Sequence, residues 1–179
     1  RTLLYNWLFA KKYNGKLILR IEDTDEKRST DAAVKNIIEG IRWLGLNWDN
    51  EIVYQSKNVN RHKEIALKLL EDGNAYKCYC TQDELEEMRV NAISKKKSTF
   101  YTNKWRDREP SEEDKKIKPV IRIKTPVNGV TEINDSVQGI VRYENQDLDD
   151  FIILRSDDSP TYLLASAVDD HDMGITHII

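Results

Sequence analysis

The sequence has few cysteines, no long hydrophobic segment and no glycine-rich loop of the kind that binds phosphate. Two cysteines in 179 residues cannot build a disulfide framework, so we expect a reducing, cytoplasmic environment. No apolar run approaches the roughly 20 residues that a membrane helix needs, and no signal-peptide pattern occurs, so we expect no membrane partner. The lack of Walker-type and GxGxxG loops excludes the commonest sequence signatures of phosphate binding.

Neither sign of charge is in large excess. The 28 lysines and arginines against 31 aspartates and glutamates give a net charge of −3, which does not indicate a nucleic-acid-binding protein, although a local basic face stays compatible with it. With 39% hydrophobic and 33% charged residues, the chain fits one domain or one domain with an insert. It begins at Arg1 without methionine and stops at Ile179 inside an apolar run. Natural termini usually fray in polar sequence, so we expect a piece of a longer protein.

The first 55 residues carry the pattern of an α/β layer. A short apolar run from Lys16 to Ile21 predicts a buried strand. Ser29, Thr30 and Asp31 offer N-caps to a helix whose apolar stripe runs from Val34 to Leu44, and Gly45 can end it. The order helix, strand, helix predicts a parallel sheet.

The middle block, residues 56–161, carries an α+β pattern. Helices are predicted from about Val59 to Leu70 and from a capping box of Thr81 and Glu84. A polar stretch up to about Lys118 is interpreted as a long loop or broken helices. Segments of alternating polarity then predict an antiparallel meander at 120–124, 130–133 and 140–143, with a further short strand at 151–154.

The end of the chain, residues 162–179, returns to the first pattern. A helix is predicted to start at Pro160, and Ile175 to Ile179 predicts another buried strand. An insert inside a nucleotide-binding-type sheet produces this order. We therefore expect an α/β domain in two parts, 1–55 and 162–179, interrupted by an inserted α+β domain.

An acidic cluster follows the first predicted strand directly, and Glu22 is its first residue. Ligands of open α/β sheets bind beyond the carboxyl ends of the strands. A carboxylate at such a position can bind an ammonium group through charge-assisted hydrogen bonds. From spacing alone, however, we favour a solvated acidic loop close to a helix N-terminus.

The cysteines and histidines make a weaker case for a metal or catalytic site. Cys78 and Cys80 point to one side of a predicted strand and could hold zinc, which needs four ligands. The histidines are isolated in the sequence, and these are His62, His171 and His177. We therefore expect two small buried cysteines, and a His177 that is packed in the core. The stretch from Asp169 to Gly174 allows a metal or acid–base cluster, or equally a capped turn.

A basic and aromatic segment in the middle block is a candidate for RNA binding. Its cations could contact phosphates, and unstacked bases could lie on its rings. Its members are Lys95, Lys96, Lys97, Tyr101, Lys104, Trp105, Arg106 and Arg108. On this segment alone we favour a solvated surface loop.

Seven segments resemble bacterial glutamyl-tRNA synthetases closely, and they follow each other in the order of that family. They are LRIEDTD (Leu19 to Asp25), RST (Arg28 to Thr30), IRWLGLNWD (Ile41 to Asp49), YQS (Tyr54 to Ser56), AYKCYCT (Ala75 to Thr81), SDDSPTY (Ser156 to Tyr162) and VDDHDMGITHII (Val168 to Ile179). Together they cover nearly the whole chain. The related glutaminyl-tRNA synthetases usually have an asparagine where Asp25 stands, so the acidic segment resembles the glutamate enzymes.

The resemblance implies a class I synthetase with a Rossmann-type catalytic domain and an inserted connective-peptide domain that binds the tRNA acceptor end. Such an enzyme activates L-glutamate with ATP and Mg²⁺ and transfers it to the 3′ end of glutamate tRNA. It implies a cytoplasmic protein, and we expect a monomer. Because this chemistry consists largely of positioning and charge stabilisation, we assign no general base.

The resemblance also implies binding residues. Glu22 matches the acid that contacts the ammonium group of glutamate, and Tyr162 and Ser166 match positions of the same amino-acid site. Asp25 and Arg28 fall near the path of the tRNA acceptor end. Since a strand-end acid suits an ammonium ligand, the resemblance changes our preference at Glu22 from a solvated loop to a binding site.

The chain departs from the family pattern in two respects. The HIGH-type and KMSKS-type segments and the arginine that grips the substrate carboxylate fall outside its ends, so we expect the chain to be inactive alone. Where relatives with zinc have a second ligand pair, Trp105 and Asp107 stand here, so we expect no zinc. Two alternatives stay open, namely a paralogue that glutamylates a modified tRNA base and a non-catalytic RNA-binding module of the same fold.

Overall fold

The computed structural model describes residues 1–24, 29–96 and 100–179, and the chain divides into two compact units. Arg1–His62 and Pro160–Ile179 form the split unit, and Lys63–Ser159 forms the continuous unit. Along the chain the elements are α1 (Thr2–Lys12), β1 (Arg20–Ile21), α2 (Asp31–Trp43), β2 (Val53–Tyr54), α3 (Val59–Glu71), β3 (Ala75–Cys78), α4 (Gln82–Ser94), β4 (Val120–Ile123), β5 (Val130–Asp135), β6 (Gly139–Glu144), β7 (Ile152–Leu154) and α5 (Tyr162–Asp172). Within the described ranges, no helix has the length and apolar character to cross a membrane.

The split unit contains a parallel strand pair, as the sequence predicts. Strands β1 and β2 lie side by side, with Arg20 opposite Val53 and Ile21 opposite Tyr54. A small apolar core is built from the buried Leu19, Ile41 and Leu46, with Leu3, Trp7, Trp48 and Ile52 packed against them. Helices and parallel strands thus share one core, which is the α/β arrangement expected for this part of the chain.

The first strand is shorter than predicted, because side chains replace part of its ladder. Of the predicted strand from Lys16 to Ile21, only the last two residues pair with β2. The N–H of Leu17 donates to a carboxylate oxygen of Asp49 at 2.8 Å. Asn50 meets Leu19 twice, since its Oδ1 accepts from the backbone N–H at 2.8 Å and its Nδ2 donates to the carbonyl at 3.2 Å. Polar side chains therefore satisfy backbone groups that a longer neighbouring strand would otherwise pair.

Helix α2 has the predicted caps, but its apolar stripe is only partly buried. The Thr30 hydroxyl accepts a hydrogen bond from a backbone N–H of the first turn, so of the three candidate N-caps Thr30 is the one used. Gly45 follows the helix with φ +71°, a conformation that favours glycine. Within the stripe, Ile41 is buried whereas Ile37 and Leu44 stay 54% and 58% exposed. The prediction of a stripe facing the core holds for one part of the helix face only.

The continuous unit contains a three-stranded antiparallel sheet and a separate hairpin. The sheet has the order β3–β4–β7, while β5 and β6 pair with each other. The predicted meander is therefore wrong in its pairing, since β4 joins β3 and β7 rather than β5. The physical reason is burial. Ile121 and Arg122 of β4 are buried and need neighbours on both sides, whereas the hairpin leaves Ile133 and Ile140 more than half exposed.

The core of the continuous unit is largely aromatic. Its buried members are Tyr76, Cys78, Tyr79, Tyr101 and Trp105. Helix α4 begins with the predicted capping box, in which Thr81 and Glu84 exchange side-chain and backbone hydrogen bonds. Leu85 and Met88 on this helix pack against the aromatic core.

The end of the chain differs from its prediction. Helix α5 begins at Tyr162 with Thr161 as N-cap, two residues after Pro160. Residues 175–179 form no strand, because no strand of the described ranges pairs with them, and most of them are exposed. The expected core position of His177 is also wrong, since this side chain is exposed and its ring lies 5.1 Å from the ring of Phe9.

Candidate functional site

Glu22 is the first residue after β1, and its carboxylate remains 41% exposed. One of its oxygens, Oε1, lies 3.5 Å from the Ser166 hydroxyl of α5, which donates to it. The same oxygen lies 3.5 Å from Nη2 of Arg20. The structure thus brings together two residues that the sequence proposed for one amino-acid site, although 144 positions separate them in the chain.

Tyr162 lies one helical turn before Ser166, so both side chains project from the same face of α5. Its side chain is 54% exposed. A tyrosine at this position presents a phenol that can both donate and accept a hydrogen bond. Together, the end of β1 and the first turns of α5 form a face with a carboxylate, a hydroxyl and a phenol.

Asp23 ties the loop after β1 to the end of β2. Its two carboxylate oxygens accept from the backbone N–H of Ser56 at 2.8 Å and from the Ser56 hydroxyl at 2.7 Å. The carboxyl ends of two neighbouring parallel strands are thereby joined, which is the position where α/β sheets bind their ligands. The proposed acceptor-end residues Asp25 and Arg28 lie outside the described residues.

Arg20 is a charged residue of this site that sequence reasoning missed. Its Nη1 donates to Asp170 Oδ1 at 2.7 Å, and its Nε lies 4.0 Å from Asp169 Oδ2. Burial acts to lower the pKa of the guanidinium, but the hydrogen bond to Asp170 and the neighbouring carboxylates outweigh it and raise this pKa. The sequence feature that could have identified Arg20 is its place as a lone arginine in an apolar strand, directly before the acidic cluster.

Asp169 is an almost completely buried carboxylate beneath the site, with 2% of its surface exposed. Its oxygens contact Gln55 Nε2 at 3.0 Å, Asn58 Nδ2 at 3.1 Å and His62 Nε2 at 2.8 Å. Burial acts to raise the pKa of Asp169, but these hydrogen bonds prevail and lower it. His62 is wholly buried, and its isolation in the sequence gives no sign of its partner Asp169.

The stretch from Asp169 to Gly174 forms the last turn of α5 and its C-terminal cap, in which Gly174 has φ +64° and the N–H of Ile175 donates to the carbonyl of Asp170. The alternative of a capped turn is therefore confirmed. Asp172 accepts from Arg61 at 2.9 and 3.3 Å, and this hydrogen bond, followed by that of His171, lowers the pKa of Asp172 to about 2. Within residues 1–24, 29–96 and 100–179, no three His, Cys, Asp or Glu side chains are grouped so as to hold a metal ion. The aspartates serve hydrogen bonds and ion pairs in this structure.

In the continuous unit, the two aromatic residues of the basic and aromatic segment belong to the core, whereas Lys95, Lys96 and Arg108 are exposed. Tyr101 and Trp105 are only 7% and 2% exposed, and the ring of Trp105 lies 5.1 Å from that of Tyr79. Arg106 donates to both oxygens of the buried Asp150 at 2.8 and 2.9 Å. For Tyr101, Trp105 and Arg106, the predictions of base stacking and of a solvated loop are both wrong. Nothing in the sequence indicated that the two rings are packed in the core. Lys97 lies outside the described residues.

The two cysteines lie next to each other, one buried and one half-buried. The hydrogen bond from Cys80 lowers the pKa of the Cys78 thiol to about 5 against the opposing effect of burial, with Tyr101 and Arg122 contributing. The same contact, followed by burial, raises the pKa of Cys80. This pair is a hydrogen-bonded part of the aromatic core, and the expected absence of zinc stays a prediction.

Comparison with known proteins identifies relatives over the full length of this chain. Residues 1–179 match the family described as tRNA synthetases class I (E and Q), catalytic domain. The chain is 54% identical to a glutamate–tRNA ligase of Afipia carboxidovorans and 58% identical to glutamate–tRNA ligase 1 of Bartonella bacilliformis, in each case over all of its residues and 38% of the relative. A crystal structure of a glutamate tRNA ligase from Elizabethkingia meningosepticum, in complex with its amino acid, matches with a TM-score of 0.85 at 32% identity. That match covers 98% of this chain and 39% of the other.

Proposed function

This chain belongs to the class I tRNA synthetases for glutamate and glutamine, and on that premise we propose that it forms the glutamate-binding part of a glutamate–tRNA ligase. Its relatives at 54–58% identity are named as such ligases. The observation that carries the proposal is the approach of Glu22 and Ser166 at the end of a parallel strand. The chain spans little more than a third of these relatives, so the complete protein would supply the rest of the enzyme.

In this proposal, the Glu22 carboxylate binds the α-ammonium group of L-glutamate. The carboxylate is partly exposed and can accept charge-assisted hydrogen bonds, which are about twice as strong as neutral ones. Ser166 and Tyr162 on α5 contribute a hydroxyl and a phenol to the same site. Each of these groups binds and orients the substrate, and none is placed to take a proton from it.

The proposed reaction joins glutamate to ATP and then to tRNA. The substrate carboxylate attacks the α-phosphate of ATP, the bond to the β-phosphate oxygen breaks, and pyrophosphate leaves. The 3′-terminal hydroxyl of glutamate tRNA then replaces AMP on the activated carboxyl. Because the described residues offer no cluster suited to a metal, we assign none of them to the Mg²⁺ that accompanies ATP in this family. This chain's share is the positioning of glutamate.

We further propose that residues 56–161 form an inserted connective-peptide domain that binds the tRNA acceptor end, between two parts of a Rossmann-type catalytic domain. Its support is the compact continuous unit Lys63–Ser159, whose sequence interrupts the split unit. Asp25 and Arg28 would contact the acceptor end as it approaches the glutamate site. The protein carrying this chain would act in the cytoplasm as a monomer.

The experiment is glutamate-dependent ATP–pyrophosphate exchange by the full-length protein with Glu22→Gln. Losing one charge-assisted hydrogen bond to an ammonium group costs about 1.5–3 kcal/mol, and we expect the loss to appear in kcat/KM for glutamate. Glu39→Gln, which alters an exposed glutamate on α2 paired with Lys35, is the matched control. Unchanged glutamate kinetics in the Glu22 variant would contradict the assignment.

A further inference from the structure

The two oxygens of the Glu22 carboxylate have different surroundings. Oε1 receives both neighbours, the Arg20 guanidinium and the Ser166 hydroxyl, each at 3.5 Å. In the described ranges, Oε2 has no hydrogen bond or ion pair, and the side chain is 41% exposed. Among the described residues, the carboxylate is thus held at Oε1 alone. A ligand that binds Oε2 displaces none of these residues.

Arg20 can hold Glu22 in place because it is itself anchored. Its side chain is only 13% exposed, and its shortest contact is the 2.7 Å ion pair with Asp170 on α5. Its Nε faces the buried Asp169 at 4.0 Å, and that carboxylate is fixed by donors from Gln55 and His62. A guanidinium has donors in a rigid planar fork, so the hydrogen bond at Nη1 and the charge of Asp169 near Nε favour the observed direction of Nη2. Nε itself donates no hydrogen bond to any described residue.

We propose that Arg20 is a positioning residue that holds Glu22 by Oε1 and leaves Oε2 as the acceptor for the substrate's ammonium group. This inference rests on the proposed function. It explains why an arginine beside the binding carboxylate does not repel the ammonium group. One guanidinium faces three carboxylates, those of Glu22, Asp169 and Asp170, so the cluster stays attractive to a further cation.

The proposed role of Arg20 predicts an effect on substrate binding that a general structural role does not predict. Arg20 acts only through the ammonium contact, so its loss should affect L-glutamate and spare glutarate, which has the same two carboxylates without the amine. In the full-length protein, Arg20→Lys keeps the positive charge but cannot make the planar fork. We expect the KM for glutamate to rise by about tenfold, the value for losing most of one charge-assisted hydrogen bond. The KM for ATP, kcat, and the inhibition constant of glutarate should stay as in the wild type.

Two further variants make the experiment decisive. Arg61→Lys changes another arginine that is ion-paired with α5, through Asp172, and should leave glutamate kinetics unchanged. Asp170→Asn loosens the anchor of Arg20 without touching Glu22, so it should raise the KM for glutamate by less than Arg20→Lys does. Should Arg20→Lys fail to fold in a thermal unfolding measurement, Asp170→Asn decides the question.

Each remaining outcome of the experiment overturns either the inference alone or the inference together with the proposed function. An active wild-type enzyme whose glutamate KM is unaffected by Arg20→Lys and Asp170→Asn would overturn the inference and leave the proposed function standing. An equal loss of glutamate and glutarate binding would also overturn it, because the role of Arg20 would then be structural. A full-length wild type without any glutamate-dependent exchange would overturn the proposed function and the inference with it.

Discussion

Asp150 of the continuous unit and Asp169 of the split unit are both buried aspartates, yet the residues that contact them serve different parts of the protein. Asp150, with no exposed surface, accepts from the Tyr76 hydroxyl, from both the backbone and side chain of Thr125, and from Arg106. Every one of these donors belongs to the same unit. The charge of Asp150 is thus compensated inside the unit by one closely paired guanidinium.

Among the partners of Asp169 is His62 Nε2 at 2.8 Å, but this carboxylate has no closely paired guanidinium among the described residues. Gln55 and Asn58 donate to it, while the nearest guanidinium, that of Arg20, lies at 4.0 Å and makes its closer contacts with other carboxylates. From Arg20, the contacts continue to the exposed Glu22. The comparison teaches that a buried carboxylate can complete a core or support a surface site, and that its partners tell which. Burial alone does not distinguish the two.

The largest expected effect is on the stability of the continuous unit. Asp150→Ala would leave Arg106 without its partner in a buried place, and breaking such a pair costs about 3–5 kcal/mol in the free energy of unfolding. Chemical denaturation with a spectroscopic signal from Trp105 measures this. The control is Glu132→Ala, which removes an exposed pair with Arg142 on the hairpin and should cost at most about 1 kcal/mol. Equal effects of the two variants would refute the assignment of Asp150 to the core.

Asp169→Asn should have a smaller effect on stability but an additional one on function. Replacing a carboxylate by an amide weakens hydrogen bonds to a charged group, worth about 1.5–3 kcal/mol, while keeping the side chain's size. Because Arg20 loses one of its neighbours, the KM for glutamate of the full-length protein should rise as well. Asp150→Asn should leave that KM unchanged in the folded fraction. If both variants change it alike, the distinction between the two aspartates is wrong.

Acid should lower the free energy of unfolding of the split unit. The pKa values of Asp169 and Asp172 are lowered by folding, in the latter case to about 2 from an ordinary 3.8. A lowered pKa stabilises the folded state above the unfolded pKa, and this contribution disappears as pH falls through the folded value. The free energy of unfolding should therefore decrease between about pH 4 and pH 2. Asp172→Asn should make this decrease less steep, and an unchanged slope would argue against the Arg61 pair in solution.

The smallest expected effect is that of metal removal on the continuous unit. Cys78 and Cys80 lie in the aromatic core, with Trp105 packed in the same cluster. A chelator should therefore leave its unfolding transition unchanged, and elemental analysis should find no stoichiometric zinc. One equivalent of zinc that disappears with Cys78→Ser would show that two further ligands exist.

Features set by neighbouring residues could be predicted from the sequence. The Thr81–Glu84 capping box, the Thr30 cap and the place of Glu22 after a strand depend on a few positions each, and the first two are confirmed. The contacts that build the site depend instead on residues that are far apart in the sequence. The His62–Asp169 pair joins residues 107 positions apart, and the Arg20–Asp170 pair joins residues 150 apart. A local pattern contains no information about such partners.

The same limit applies to strand pairing and to the buried aromatic rings. Alternation in β4 was visible, but its neighbours β3 and β7 come from opposite ends of the continuous unit. Tyr101 and Trp105 lack a helical or strand period because they reach the core from irregular backbone. Family resemblance suggested residues for a glutamate site, but it did not reveal the buried hydrogen bonds beneath them.

The side chain of Asn50 bears on how this protein resists aggregation through an open strand edge. An asparagine amide offers a carbonyl oxygen that accepts and an amino group with two N–H donors. Here the oxygen and the amino group both meet the backbone of Leu19 as a neighbouring peptide group would, and the amino group also donates to the carbonyl of Glu51. Together with Asp49 it satisfies backbone groups of Leu17 and Leu19 that an unpaired strand edge would leave open to another extended chain. We therefore expect shortening of these two polar side chains to favour aggregation.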